Sequence, residues 1–234
     1  MSASQRQFLK LSAVILRMNT ESLELIRLKF LSAPDPPHRP VDELHVWSMD
    51  LSRESSERRR AASNAALRQV LATYVGENPQ QVELGRNGHG KPYLAAPAAE
   101  LEFNLSHSGE IALIALSAKH PVGVDVEQVQ PGRDLLAVAE RALSAEDVEA
   151  VRVAAPAERA LVFHQHWARH EARLKCLGVG IFRESSLDAA AVKAWDLDLG
   201  SGYAGAVAIE ADELPPLHCW TFDPESASKR RQPG

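Results

Sequence analysis

Apolar and polar positions change rhythm several times along this chain, and each change predicts an element. Leu44-His-Val-Trp-Ser-Met49 alternates, and a period of two suits a strand. From about Glu54 to Val75 the spacing lengthens. Ala62, Ala65, Ala66, Val70 and Tyr74 recur every three or four residues with no Gly or Pro between them, which predicts a helix. Ser55 or Ser56 is placed to cap its start, and Gly76-Glu-Asn-Pro79 to end it. Short strands follow at Val82-Glu-Leu84 and Leu101-Glu-Phe-Asn-Leu105. The nearly all-apolar run Glu110 to Ser117 predicts a strand buried on both faces, and Pro121-Val-Gly-Val-Asp-Val-Glu127 predicts another strand after it. Leu135 to Leu143 reads as a helix, and Ser144-Ala-Glu-Asp147 as the N-cap and acidic first turn of the next. Glu158 to Leu177 is a second long helical run, with Gly178 in the C′ position. Strands return at Ala191 to Leu199, Tyr203 to Ile209 and His218 to Phe222.

Strand, helix, strands, then helices and strands again describes an α+β protein of two similarly sized halves meeting near Lys119 to Val122. The run Pro34-Asp-Pro-Pro-His-Arg-Pro40 can continue neither a helix nor a central strand, because its prolines lack backbone donors. The expected division is therefore an N-terminal extension and linker over 1–40, a first subdomain over 41–121, a second over 122–224 and a tail over 225–234.

Composition narrows the function. Of 234 residues, 45% are hydrophobic and 24% charged, as in an ordinary globular protein, and the net charge of −5 disfavours nucleic acid as a partner. Phe8 to Leu31 is rich in Leu and Ile. It is interrupted by Lys10, Arg17, Glu21, Glu24, Arg27 and Lys29, so it makes neither a membrane span nor a secretory signal, and a cytoplasmic location is expected. Cys176 and Cys219 give no zinc spacing or disulfide framework.

Four segments carry candidate chemistry. In Gly123-Val-Asp-Val-Glu127, a strand places Asp125 and Glu127 on one face. Adjacent carboxylates suit a hard cation such as magnesium, although, taken alone, two solvated acids on an exposed face are the commoner reason for such a pair. In Phe163 to Lys175, Glu171 and Lys175 share a helix face with Trp167 one turn earlier; alone they are an ordinary surface pair. Gly85-Arg-Asn-Gly-His-Gly-Lys91-Pro92-Tyr93 offers Lys91 as a point charge for a phosphate, or is a plain surface turn. Phe103-Asn-Leu-Ser106-His107-Ser108-Gly109 brings Ser and His together without a nucleophile elbow, so small donors for a phosphate or ribose fit better than a hydrolase triad.

Taken in order, Gly-Lys-Pro, then Phe-Asn-Leu-Ser-His-Ser, then Val-Gly-Val-Asp-Val-Glu, then Trp-x-x-x-Glu-Ala-x-x-Lys-x-x-Gly-x-Gly resemble the 4′-phosphopantetheinyl transferase superfamily, in its longer single-chain form acting on carrier proteins of secondary metabolism. The resemblance runs from about Leu44 to Phe222. It implies two pseudo-symmetric α/β subdomains with the active site at their interface. The activity implied is transfer of the phosphopantetheine arm of coenzyme A to a serine of an acyl or peptidyl carrier protein. By the same comparison Asp125, Glu127 and Glu171 hold magnesium, and Asp125 faces the diphosphate. Lys91, Ser106 and His107 contact the nucleotide end, Lys175 the diphosphate, and Arg59 and Arg60 a nucleotide phosphate, with Arg68 a further candidate. Glu171, Lys175 and His170 are the implied catalytic residues. His170 stands where the family usually has lysine, directly before the glutamate. The stretch between Trp47 and Arg58 is also shorter than the family pattern. Carrier docking is expected over Gln128 to Leu143, with Arg133 and Arg141 as contacts, and a monomer is expected because one chain carries both halves. Two alternatives stay open at this point: a non-catalytic descendant that binds coenzyme A or a carrier, and a phosphodiesterase that hydrolyses coenzyme A.

Overall fold

The computed structural model describes residues 25–26, 31–32, 40, 42–131, 134–178, 192–211 and 213–224. Most of the expected N-terminal extension, the tail over 225–234 and Arg133 lie outside the described residues.

The fold is mixed α+β, built on two larger sheets and a small hairpin. The first sheet has the order β2-β11-β3-β7-β6 and joins Leu31–Ser32 (β2), Leu217–Thr221 (β11), Leu44–Asp50 (β3), Ile111–Ser117 (β7) and Glu102–Ser108 (β6). The second has the order β1-β9-β10-β8 and joins Leu25–Ile26 (β1), Lys193–Leu197 (β9), Tyr203–Ile209 (β10) and Val122–Gln128 (β8). Glu83–Arg86 (β4) and Pro92–Ala96 (β5) pair only with each other.

Alternation along the strands explains the layering. Trp47 and Met49 of β3, with Ala112, Ile114 and Leu116 of β7, pack under Leu67, Val70 and Leu71 of helix α1 (Ser56–Val75). The intervening positions Leu44, Val46, Leu113 and Ala115 face the other way, onto Val122, Val124, Val126 and Val207 of the second sheet. That sheet is backed in turn by helix α4 (Arg159–Leu177), whose Ala168, Ala172 and Cys176 meet Ala206 and Ala208. Each fully buried Leu, Ile or Val contributes roughly 1.5–3 kcal/mol, so the rows between the two sheets and under α1 dominate stability. β7 is covered on both faces, as its unbroken apolar run predicts.

Both long helices end as expected. Gly76 and Gly178 adopt left-handed conformations, at φ 71° and 68°, that close α1 and α4. Ser144 caps helix α3 (Ala145–Val153) by accepting the Asp147 amide at 3.1 Å. Helix α2 spans Leu135–Ala142. The last strand goes where sequence order does not suggest: β11 enters the first sheet, parallel to β3.

Candidate active site

The site begins with β8. Its valines at 122, 124 and 126 are buried between the sheets, which turns Gly123, Asp125 and Glu127 to the opposite face. A Cβ on Gly123 would stand 2.0 Å from the Ala172 carbonyl oxygen and 2.4 Å from the Cys176 amide. Glycine is thus what allows α4 to lie directly on the strand backbone. Four residues apart on that helix, Glu171 and Lys175 then face β8.

The edge strands β6 and β8 belong to different sheets, and side chains bridge them. Asn104 Oδ1 accepts the Val124 amide at 3.0 Å, and Ser108 Oγ accepts the Gln128 amide at 3.0 Å. Ser106 Oγ donates to Asp125 Oδ1 at 2.8 Å, and Ser108 Oγ to Glu127 Oε2 at 3.1 Å. Three polar residues spaced by two therefore close the seam and orient both carboxylates. Lys175 Nζ completes the inner end, donating to Ser106 Oγ at 3.1 Å and Asp125 Oδ1 at 2.5 Å.

Too many negative charges meet here for the cations present. Burial raises the Asp125 carboxyl against the opposing pull of Lys175 and Ser106. Burial, then the Asp125 charge, pushes Glu127 up to about 6, with Glu171 adding and Ser108 opposing. Glu171 is raised by burial and then by Asp125. Asp125 Oδ2 and Glu171 Oε1 are buried without hydrogen-bond partners. Unpaired buried carboxylate oxygens are costly, and three mutually repelling carboxylates form a donor set that fits a hard divalent cation. As the side chains stand, no three metal-binding groups among the described residues close on one point. Lys175 holds one Asp125 oxygen and Ser108 one Glu127 oxygen.

Arg60 and His107 lie near one another beyond Lys175. His107 is exposed on the face opposite Ser106, and its imidazole is held below its ordinary value by burial of part of the ring, then by the charges of Arg60 and Lys175. The other basic candidates are engaged elsewhere. Arg59 donates to the Glu54 carbonyl at 3.2 Å, to the Gly109 carbonyl at 3.1 Å and to Glu110 Oε1 at 3.0 Å. Lys91 Nζ turns inward to the carbonyls of Val122 (3.3 Å) and Cys176 (3.1 Å), where it caps the C-terminal end of α4. Burial holds its pKa below the usual lysine range. Arg68 donates to the Val82 carbonyl. His170 is buried, its ring 5.9 Å from that of Trp167. Sequence reasoning does not single out Asn104, Ser108 or Gly123. The alternation in Phe103 to Ser108 places Asn104 and Ser108 beside Ser106, whereas nothing in one strand shows that Gly123 faces a helix.

Known proteins match this sequence over most of the described residues. Residues 121–222 match the 4′-phosphopantetheinyl transferase superfamily, and residues 51–119 match a 4′-phosphopantetheinyl transferase N-terminal family. The chain is 30% identical over 186 residues to the 4′-phosphopantetheinyl transferase HetI of Nostoc sp., covering 67% of this chain and 78% of that protein. It belongs to the 4′-phosphopantetheinyl transferase superfamily. A 4′-phosphopantetheinyl transferase of Bacillus subtilis is 29% identical over 164 residues, 70% of this chain and 67% of the relative. The L-aminoadipate-semialdehyde dehydrogenase-phosphopantetheinyl transferase of Mus musculus is 28% identical over 152 residues, 61% of this chain and 49% of the relative. Among these superfamily matches, the one over residues 121–222 contains Asp125, Glu127, Glu171 and Lys175, and the N-terminal match contains Arg60, Ser106 and His107. No helix among the described residues is long and apolar enough to cross a membrane.

Proposed function

We propose that this chain transfers 4′-phosphopantetheine from coenzyme A to a serine of an apo acyl or peptidyl carrier protein and releases 3′,5′-ADP. Membership of the superfamily supports the reaction class. The observation that carries it to these residues is the pair of partnerless buried oxygens, Asp125 Oδ2 and Glu171 Oε1, contributed by a strand and a helix beside one lysine.

Asp125 and Glu171, with Glu127, are the residues that would hold magnesium. When bound, such an ion neutralises the charge of a diphosphate and of the transition state. Lys175 supplies a point charge to the diphosphate, and Arg60 and His107 supply the flank for the nucleotide phosphates. Arg59 supports that flank by fixing the start of α1. Lys91 acts from behind, by fixing the end of α4. His170 supports the helix beside Trp167 in the position where the superfamily pattern has lysine.

The carrier serine oxygen attacks the β-phosphorus of coenzyme A. The new P–O bond forms as the bond from that phosphorus to the bridging oxygen breaks, and 3′,5′-ADP leaves with the α-phosphate. Glu171, made more basic by burial and by Asp125, accepts the serine proton. Arg141, in the last turn of α2, is the described candidate for meeting an acidic carrier surface. We place the protein in the cytoplasm, as a monomer, since one chain supplies both strands and the helix of the site.

Incubation with coenzyme A, magnesium and an apo carrier protein tests the reading. The expected result is a carrier mass gain of one phosphopantetheine, abolished by Asp125→Ala or Glu171→Ala. Normal turnover in purified Asp125→Ala refutes the metal assignment. Release of 3′,5′-ADP without any carrier would instead mark a phosphodiesterase.

A further inference from the structure

Outside the carboxylate cluster, the turn between β6 and β7 is the point where separate elements converge on one short piece of backbone. Tyr203 opens β10, in register with Gln128 of β8, and its hydroxyl oxygen accepts the Glu110 amide at 2.9 Å. Gly109 lies between them with φ at +54°. A Cβ there would stand 2.6 Å from the Tyr203 hydroxyl and 2.7 Å from Gln128 Oε1, so the turn is pressed against the second sheet as closely as glycine permits. From the opposite side Arg59 donates to the Gly109 carbonyl and pairs with the Glu110 carboxylate. The Leu51 amide donates to the Glu110 carbonyl at 2.7 Å.

Ser108 is the next residue back along the chain. Its hydroxyl has one proton to give, and its oxygen already accepts the Gln128 amide, so the proton has a fixed direction, toward Glu127 Oε2. A shift of the turn moves Ser108 and releases Glu127 from the face it shares with Asp125. We propose that Tyr203 is a positioning residue for Glu127, acting through the turn and Ser108 across the seam between the two sheets. The inference rests on the metal reading above. Tyr203 touches neither the carboxylate nor any substrate in this role; it sets where the carboxylate points.

The test is a set of Mn(II) titrations of the intact chain, followed by the electron paramagnetic resonance signal of the free ion, with melting curves recorded alongside. Tyr203→Phe keeps the ring and removes only the acceptor. It is expected to melt cooperatively and to bind Mn(II) about tenfold more weakly, the size usual for outer-shell losses. The double variant Tyr203→Phe with Ser108→Ala should bind no more weakly than Ser108→Ala alone, because both losses run through one hydroxyl. Unchanged Mn(II) affinity in Tyr203→Phe, or losses that add in the double variant, would overturn the inference. If Tyr203→Phe is too unstable to titrate, Arg59→Gln replaces it, since it frees the other side of the same turn and carries the same expectations. Asp125→Ala separates the two readings. If it abolishes Mn(II) binding while Tyr203→Phe leaves it intact, the positioning role alone fails; if Asp125→Ala binds like wild type, the metal reading fails and takes this inference with it.

Discussion

Lys175 Nζ lies 2.5 Å from Asp125 Oδ1, and the same ammonium reaches Ser106 Oγ at 3.1 Å. The aspartate is almost wholly buried and the lysine is about a third exposed, so the pair joins an interior charge to one that water still reaches. Removing the cation leaves a buried carboxylate with no counter-charge. Lys175→Met should therefore cost stability as well as activity, by about 1–2 kcal/mol once solvent screening of the lysine is allowed for. Urea unfolding at neutral pH measures it. A variant as stable as wild type but inactive would confine Lys175 to substrate binding.

Gly123→Ala should be more damaging than its size suggests. The added methyl meets backbone atoms of α4, which cannot rotate aside as a side chain can. Overpacking of this kind costs about 1–3 kcal/mol or more, and the helix must lift, carrying Glu171 and Lys175 away from β8. Loss of transferase activity with a lowered melting temperature is the expected outcome. Val124→Ala, on the opposite face, should destabilise while leaving the metal affinity of the folded protein unchanged.

Acid should weaken metal binding before it harms the fold. Glu127 is raised to about 6, so in the metal-free protein it takes up a proton as pH falls through that value, and Mn(II) affinity should drop over the same range. The stability effect has the opposite sign to that of a salt-bridged acid. The folded state binds the proton more tightly than the unfolded chain, so this group costs stability as pH rises from about 4.5 to about 6. Glu127→Gln should flatten that part of a melting-temperature profile in the absence of metal and raise stability at neutral pH. Profiles of the two proteins that coincide would count against it.

Under the same helix, toward β9, a second polar group works by the ordinary sign. Asp147 of α3 bonds His166. Arg169 pairs with Asp196 at 2.6 Å and lies 2.8 Å from His166 Nδ1. Burial tends to raise Asp147, but hydrogen bonds from His166 and Ser144 outweigh it and bring the carboxyl to about 2. Its stabilisation is complete above the unfolded value of about 3.8 and is lost as pH falls through about 2. Asp147→Asn should lower the melting temperature at pH 6, and the gap to wild type should close near pH 2.

Much of this architecture is legible in the order of the residues. Glu110 to Ser117 is nearly free of polar residues because both its faces are covered, so its burial shows in its composition. The two-residue period of Val122 to Glu127 puts both acids on one side, and the glycines at 76 and 178 end their helices as expected. Lys91 and Arg59 mark where such reading stops. A lysine in a glycine-rich turn looks the same in sequence whether it meets a phosphate or a helix end. Only the folded chain turns Lys91 toward Cys176 at the end of α4, and only the folded chain brings the β6–β7 turn to Arg59.

Local periodicity determined most of the described elements, though not β5 or the short β1 and β2, because hydrogen bonding within a helix and alternation along a strand depend on near neighbours. It also determined which side chains share a face, and the order of motifs pointed to the family. Tertiary structure alone decided that β11 crosses into the first sheet, that β6 and β8 meet edge to edge, and that Glu171 comes to Asp125 from 46 residues further along the chain. Those juxtapositions depend on contacts between residues far apart in sequence, made when the valine face of β8 is buried and Gly123 lets a helix settle on the other side.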